Sequence, residues 1–184
     1  TPVIQYEYDQ VGRRIAMSMT GPNSEPTRKW VYRDCLRIAA ELDSWYNVAS
    51  RFLYSAGKMP VQMIRGNTAY LLVADYLGSL RAVVRLLDGE IMHSMEYDEF
   101  GRVIVDDVVN GFERVPFGYA GGLYDRGTGL VRFGAREYDA QAGRWVSKDP
   151  VGLGAGSNVY EYCGDDPADC VDPVGLSGML TLWV

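Results

Sequence analysis

The chain has 184 residues, of which 47% are hydrophobic and 23% charged. That balance fits one folded domain, or at most a little more, with a real core, and is not that of a disordered chain. Eighteen Lys and Arg against 24 Asp and Glu leave a net charge of −6, which disfavours a broad nucleic-acid face or a polybasic membrane patch.

Taken in chain order, the periodicity favours strands. Residues 3–8 read V-I-Q-Y-E-Y, close to the alternation of a half-buried strand. Residues 20–29 carry Gly21, Pro22 and Pro26 and read as a loop. Residues 30–32 and 51–54 are short aromatic strand pieces, and residues 36–42 fit either a helical turn or a strand. Residues 70–74 and 82–87 read as two strands joined by a turn containing Gly78. The rival is one helix over residues 71–87, which would carry Gly78 in its middle at a cost of about 1 kcal/mol. A second hairpin is expected at residues 85–87 and 90–97, with Asp88-Gly89 as its turn. Residues 103–105 and 108–109 continue the pattern around Asp106-Asp107, and residues 164–173 are turn-rich and acidic. The glycines of residues 152–157 lack the G-K-[ST] ending and the full dinucleotide spacing, so phosphate binding is not expected there. No apolar run nears the roughly 18 residues of a membrane span. The N-terminus is no signal peptide, and its first residue, Thr1, suggests a fragment or a processed chain.

A repeat dominates the sequence. Tyr8-Asp9-x-x-Gly12-Arg13 recurs as Tyr97-Asp98-x-x-Gly101-Arg102, as Tyr124-Asp125-x-x-x-Gly129, and as Tyr138-Asp139-x-x-x-Gly143-Arg144. Tyr32-Arg33-Asp34 is at best a degenerate copy, because its Asp is displaced and no Gly follows at the right spacing. The residue types suit a hairpin rim. Tyr supplies a large strand contact with a polar end, Asp bonds to the backbone two residues on, and Gly takes the positive φ that the turn requires.

These copies, with Pro116-Phe-Gly118-Tyr-Ala-Gly-Gly-Leu-Tyr124-Asp125, Gly143-Arg-Trp-Val-Ser-Lys-Asp149-Pro150 and Asp172-Pro-Val-Gly-Leu176, resemble the Rhs and YD-repeat proteins, specifically their associated core region. Asp75-Tyr-Leu-Gly-Ser-Leu-Arg81 is similar to a further family stretch, with Tyr76 and Leu80 in place of its His and Pro. The resemblance implies an all-β fold: antiparallel YD-repeat hairpins forming part of a spiral β-shell, closed by a C-terminal plug region. It divides the chain into a shell segment (1–115), a core with a self-cleavage motif (116–176) and a short remnant (177–184). It implies as partners the N-terminal remainder of the shell and an encapsulated C-terminal toxin. A secretion system, or a second copy, could pair through open sheet edges. The location it implies is secreted or cell-surface, delivered from a bacterial cell. A chain of this length makes only part of a shell, so an exposed inner face, open edges and a tendency to aggregate are expected.

The resemblance also implies one intramolecular cut, at Leu176–Ser177, by an aspartyl pair formed by Asp149 and Asp172. Two carboxylates at one site can share a proton, so that one activates water and the other protonates the carbonyl. Arg144 could orient a carboxylate or steady a developing oxyanion, or equally make a plain salt bridge. The plainer reading of each Asp is a turn residue before proline. Asp165, Asp166, Asp169 and Asp172 do not follow the calcium-loop order and read first as turn caps. No cofactor or metal is expected. The single His93 excludes His-rich metal sites and reads as an ordinary strand residue. Cys35, Cys163 and Cys170 form no C-x-x-C pair, and their odd number leaves the redox compartment open. Unpaired small residues are the default for Cys163 and Cys170, with a disulfide across their turn as the alternative. Trp30, Trp45, Trp145 and Trp183 read as packing anchors. A different class of function also fits: a noncatalytic YD-repeat surface module that binds protein or carbohydrate.

Overall fold

A computed structural model of the chain describes residues 3–21, 26–150, 152 and 158–176. Among them there is no α-helix, and apart from short 3-10 turns all regular structure is antiparallel sheet. Ten strands follow one another as neighbours in a meander. They are β1 (Val3–Tyr8), β2 (Arg14–Thr20), β3 (Arg28–Tyr32), β4 (Ile38–Leu42), β5 (Val48–Leu53), β6 (Gln62–Arg65), β7 (Thr68–Ala74), β8 (Leu80–Arg85), β9 (Ile91–Tyr97) and β10 (Val103–Val108). A second meander has four short strands: β11 (Leu123–Asp125), β12 (Leu130–Phe133), β13 (Arg136–Asp139) and β14 (Arg144–Trp145).

The Tyr-Asp turns work through the aspartate. At Asp9 one carboxylate oxygen accepts the amides of Val11 (3.1 Å) and Arg13 (2.9 Å), and the other accepts Arg13 Nε at 2.6 Å. Gly12, at φ +80°, donates its amide to the Asp9 carbonyl. Asp98 repeats the arrangement with Phe100, Gly101 and Arg102. Three further turns are built the same way. Asp75 holds the amides of Leu77 and Ser79 and the Arg81 side chain. Asp43 holds Trp45 and Asn47, with Tyr46 at φ +67° where the glycine would stand. Asp34, read as degenerate, holds Leu36 and both the amide and side chain of Arg37. The clamp requires a carboxylate at the turn's start. The glycine relieves backbone strain but is replaceable, which is why a pattern keyed on glycine undercounts the turns.

Several local expectations change. Residues 36–42 supply a strand, β4, not a helical turn. The chain after Gly12 returns as a strand, β2, whose two Met and Arg hide its extent, and β6, with four residues, is too short to stand out in the sequence. Asp88-Gly89 is not a two-residue hairpin turn. β8 ends at Arg85, Leu86 and Leu87 join the turn as exposed residues, and Asp88 is gripped by Arg85. Residues 103–108 form one continuous strand because Asp106 is neutralised within it. It accepts from buried His93 on neighbouring β9 at 2.6 Å and from Arg126 at 2.7 Å. Trp30 and Trp145 are buried, but Trp45 is 80% exposed at its turn. Trp183 and most of the 152–157 glycine stretch lie outside the described residues.

The ten-stranded sheet is strongly curved. Laid flat at about 4.8 Å per strand, β1 and β10 would stand about 43 Å apart. Yet the consecutive residues Asp125 and Arg126 reach both, Asp125 accepting from Tyr6 of β1 and Arg126 pairing with Asp106 of β10. The enclosed face is not left open as expected. Val115, Phe117 and Leu123 fill it against Trp30, Phe52 and Met63. The second meander builds its own aromatic core from Tyr119, Phe133, Tyr138, Trp145 and Tyr162. It rests on the rim formed by the Asp9, Asp75 and Asp98 turns. Arg132 donates to Gly12 O (3.0 Å), Ala120 N to Ser79 Oγ (3.0 Å) and Tyr138 to Phe100 O (2.8 Å). The repeat turns therefore end hairpins and also seat the plug.

Candidate functional site

The site grows from the β12–β13 turn. Strand alternation points Arg136 and Tyr138 inward, and both are fully buried. Residues 172–176 lie across this turn, with Ala135 N donating to Val174 O at 3.0 Å. Two glycines allow the approach. A Cβ on Gly134 would stand 2.2 Å from Val174 O, and one on Gly175 would stand 2.4 Å from Phe133 O. Gly175 N caps Asp172 Oδ1 at 3.0 Å. Asp149 follows β14 and is held through its amide to Val159 O at 2.9 Å.

Arg136 brings the two aspartates together. Its Nη2 lies 3.0 Å from Asp149 Oδ2 and 3.3 Å from Asp172 Oδ2. Its Nε donates to Gly175 O at 2.6 Å, and its guanidinium sits 4.1 Å over the Trp145 ring. Asp149 and Asp172 are buried, at 7% and 2% exposure. Arg144 is elsewhere: it is exposed, and its backbone pairs with Asp139 and bridges to Glu161. Arg136 was not singled out from sequence. The one available signal was its inward position in a strand that otherwise buries aromatics, where a charge requires partners. Leu176 is part-exposed at 37%, and Ser177 lies outside the described residues.

The surroundings are polar at one side and aromatic at the other. Burial pushes the Tyr162 hydroxyl well above its ordinary range, so it stays protonated beside the aspartates. Lys58, from the β5–β6 connection, also faces this region. Burial lowers its pKa and the Asp172 charge opposes that. Lys58 and Pro173 share the wall of a cavity of about 50 Å³ with Arg13, Arg14 and Arg132. Cys163 and Cys170, by default expected unpaired, form a disulfide across a Cα separation of 5.6 Å. Their turn closes tightly enough to bring the sulfurs together, which spacing alone does not reveal. Among the described residues, no three His, Cys, Asp or Glu side chains gather as a metal site. No described helix is long and apolar enough to cross a membrane.

Chemically, a guanidinium between two buried carboxyl groups supplies the counter-charge and hydrogen bonds that their burial requires. It also fixes their spacing and ties them to the Gly175 carbonyl, one residue before the Leu176 carbonyl.

Residues 1–167 match the Teneurin YD-shell family. The double-stranded DNA deaminase toxin A of Burkholderia cenocepacia is 28% identical over 97% of this chain and 14% of its own length. Teneurin-3 of Danio rerio is 29% identical over 90% of this chain and 6% of its own. The chain thus spans a small part of these relatives. The crystal structure of TcdB2-TccC3 without its hypervariable C-terminal region superposes with a TM-score of 0.69. It shares 24% identity over 94% of this chain and 9% of that one, and shows the same fold. Fold, repeat turns and sequence agree, and the chain belongs to the Teneurin YD-shell family as a stretch of Rhs-type YD-repeat shell.

Proposed function

We propose that this chain is the closing wall and plug of a shell that contains and delivers a polypeptide toxin, and that it cuts itself once, between Leu176 and Ser177. The observation that carries this reading is the meeting of Asp149 and Asp172 on one Arg136 nitrogen, beside the backbone that leads to that bond. The family match ends at residue 167, so Asp172 and the bond lie beyond it. In the proposed step one aspartate is ionised and the other protonated. The ionised carboxylate takes a proton from water, whose oxygen bonds to the Leu176 carbonyl carbon. The protonated carboxyl passes its proton to the carbonyl oxygen. Collapse breaks the C–N bond, with a proton going to the Ser177 nitrogen. Arg136 acts as a positioning residue through both carboxylates. A relative named as a DNA deaminase toxin and another named as a tRNA nuclease support a toxin cargo and a location outside the producing bacterial cell.

The second reading, a noncatalytic surface module, is favoured by a relative named salivary gland surface protein 1, of Aedes aegypti. It also draws on the guanidinium standing where a shared proton would otherwise be. Intact mass separates the two. Self-cleavage predicts loss of residues 177–184 from the parent chain and full length for Asp149→Asn and Asp172→Asn. A parent that stays full length leaves the scaffold reading.

A further inference from the structure

We infer that Cys163 and Cys170 form a redox latch that holds the Asp172 arm on Arg136. The inference does not depend on self-cleavage. The two cysteines join the segment that carries Tyr162 to the arm that carries Asp172. Tyr162, just before Cys163, is fully buried, with its ring 4.3 Å from Tyr138 and 5.1 Å from Trp145. On the other side Cys170, Val171 and Asp172 are buried in succession and lead directly to the Arg136 contact.

The turn between the cysteines is strained and thinly held. Cys163 and Asp165 take φ +53° and +60°, a left-handed conformation that side chains other than glycine adopt at a cost. Apart from the bridge and the packing of Cys163 and Pro167, the turn's hydrogen bonds to other segments run, among the described residues, through two carbonyls. Pro167 O accepts from Tyr119, and Ala168 O accepts from Tyr76 at 2.7 Å. Opening the bridge lets this turn relax, and the arm that begins two residues later loses its nearest covalent restraint.

The chemistry is thiol–disulfide exchange with a small thiol. Cys163 is part-buried and Cys170 is 5% exposed, so the attack falls on Cys163. A thiolate forms a mixed disulfide there and expels the Cys170 thiolate, which takes up a proton. A second thiol then releases Cys163. In sum the protein disulfide and two thiols become two protein thiols and one small disulfide.

Hydrogen exchange on the full chain tests the latch, in oxidised glutathione and in dithiothreitol, beside the double variant Cys163→Ser/Cys170→Ser. The reporters are the amides of Gly175, which caps Asp172, and Ala135, which bonds to Val174 O. Closing so short a loop restricts the open state on the order of 50-fold. Exchange at both amides should therefore quicken by about that factor on reduction and in the double variant. The amides of Met63 and Tyr70, in the ten-stranded sheet, should not change. Alkylation of Cys163 and Cys170 in the glutathione-treated chain, beyond that of the exposed Cys35, would overturn the inference. So would unchanged exchange at Gly175 and Ala135 on reduction, or equal quickening at Met63 and Tyr70.

Discussion

Replacing Arg136 with Met removes a group that contacts both aspartates. The side chain keeps its length and apolar stem but loses the ion pairs to Asp149 and Asp172 and the bond to Gly175 O. It also loses its stacking on Trp145. Removing one partner of a buried ion pair costs about 3–5 kcal/mol, because the remaining charge stays desolvated. Here two carboxylates are left, so the upper part of that range applies, and the cation–π contact adds about 1 kcal/mol. With a urea slope of about 2 kcal/mol per molar, a loss of about 5 kcal/mol moves the unfolding midpoint down by about 2.5 M. The same substitution in an Asp149→Asn/Asp172→Asn background should cost much less, about 1–2 kcal/mol, since no buried carboxylate charge remains at the site. Urea unfolding followed by circular dichroism at pH 7 measures all four proteins. Equal losses in the two backgrounds would refute the reasoning, because Arg136 would then act by packing and not as the counterion of the aspartates.

Gly101 and Gly12 have nearly the same φ, +83° and +80°, but a Cβ at Gly101 would lie 2.3 Å from the Tyr119 ring while none crowds Gly12. Gly12→Ala should cost about 1 kcal/mol from backbone strain alone, and Gly101→Ala at least about 2 kcal/mol more by displacing Tyr119 from the plug. Equal thermal shifts would show that the seat of the plug is not tightly packed. Burial pushes the Asp106 carboxyl up, but hydrogen bonds from His93 and Arg126 and their charge outweigh it and hold it well below the usual range. Its stabilisation is therefore complete above about pH 4 and is lost as the pH falls further. The stability gap between the parent and Asp106→Asn, followed by urea unfolding, should be flat from pH 7 to about 4 and narrow below. Burial raises the Tyr32 hydroxyl to about 12. The unfolded chain ionises this tyrosine near pH 10, so stability should fall from about pH 10 upward. Absorbance at 295 nm should show tyrosine ionisation tracking the loss of the sheet signal. Ionisation complete well before unfolding would contradict the burial.

Much of the shell was legible in the sequence because its turns are local. An aspartate that bonds amides two and four residues ahead acts within one stretch of chain, and strand alternation is a period-two signal that needs no partner to be seen. Copies built on Asp34 and Asp43 were harder to see, since another residue stands where glycine usually does, and the Asp75 copy keeps Gly78 but has Ala74 in place of the tyrosine. The pairing of Asp149 with Asp172 was reachable only through resemblance, because no local rule relates two turns so far apart. That Arg136 and not Arg144 joins them was decided by tertiary structure. Both arginines lie in strands of the same small sheet, but one falls on the face covered by residues 172–176 and the other on the solvent face. Which face is covered depends on how the sheet closes over the rim, and a one-residue change of register would exchange the two. The amino-acid order by itself determined hairpins, turns and an all-β chain. The curvature that brings β1 and β10 to the same two residues, the closing of the disulfide and the placing of a buried cation between two acids were decided by packing at a distance.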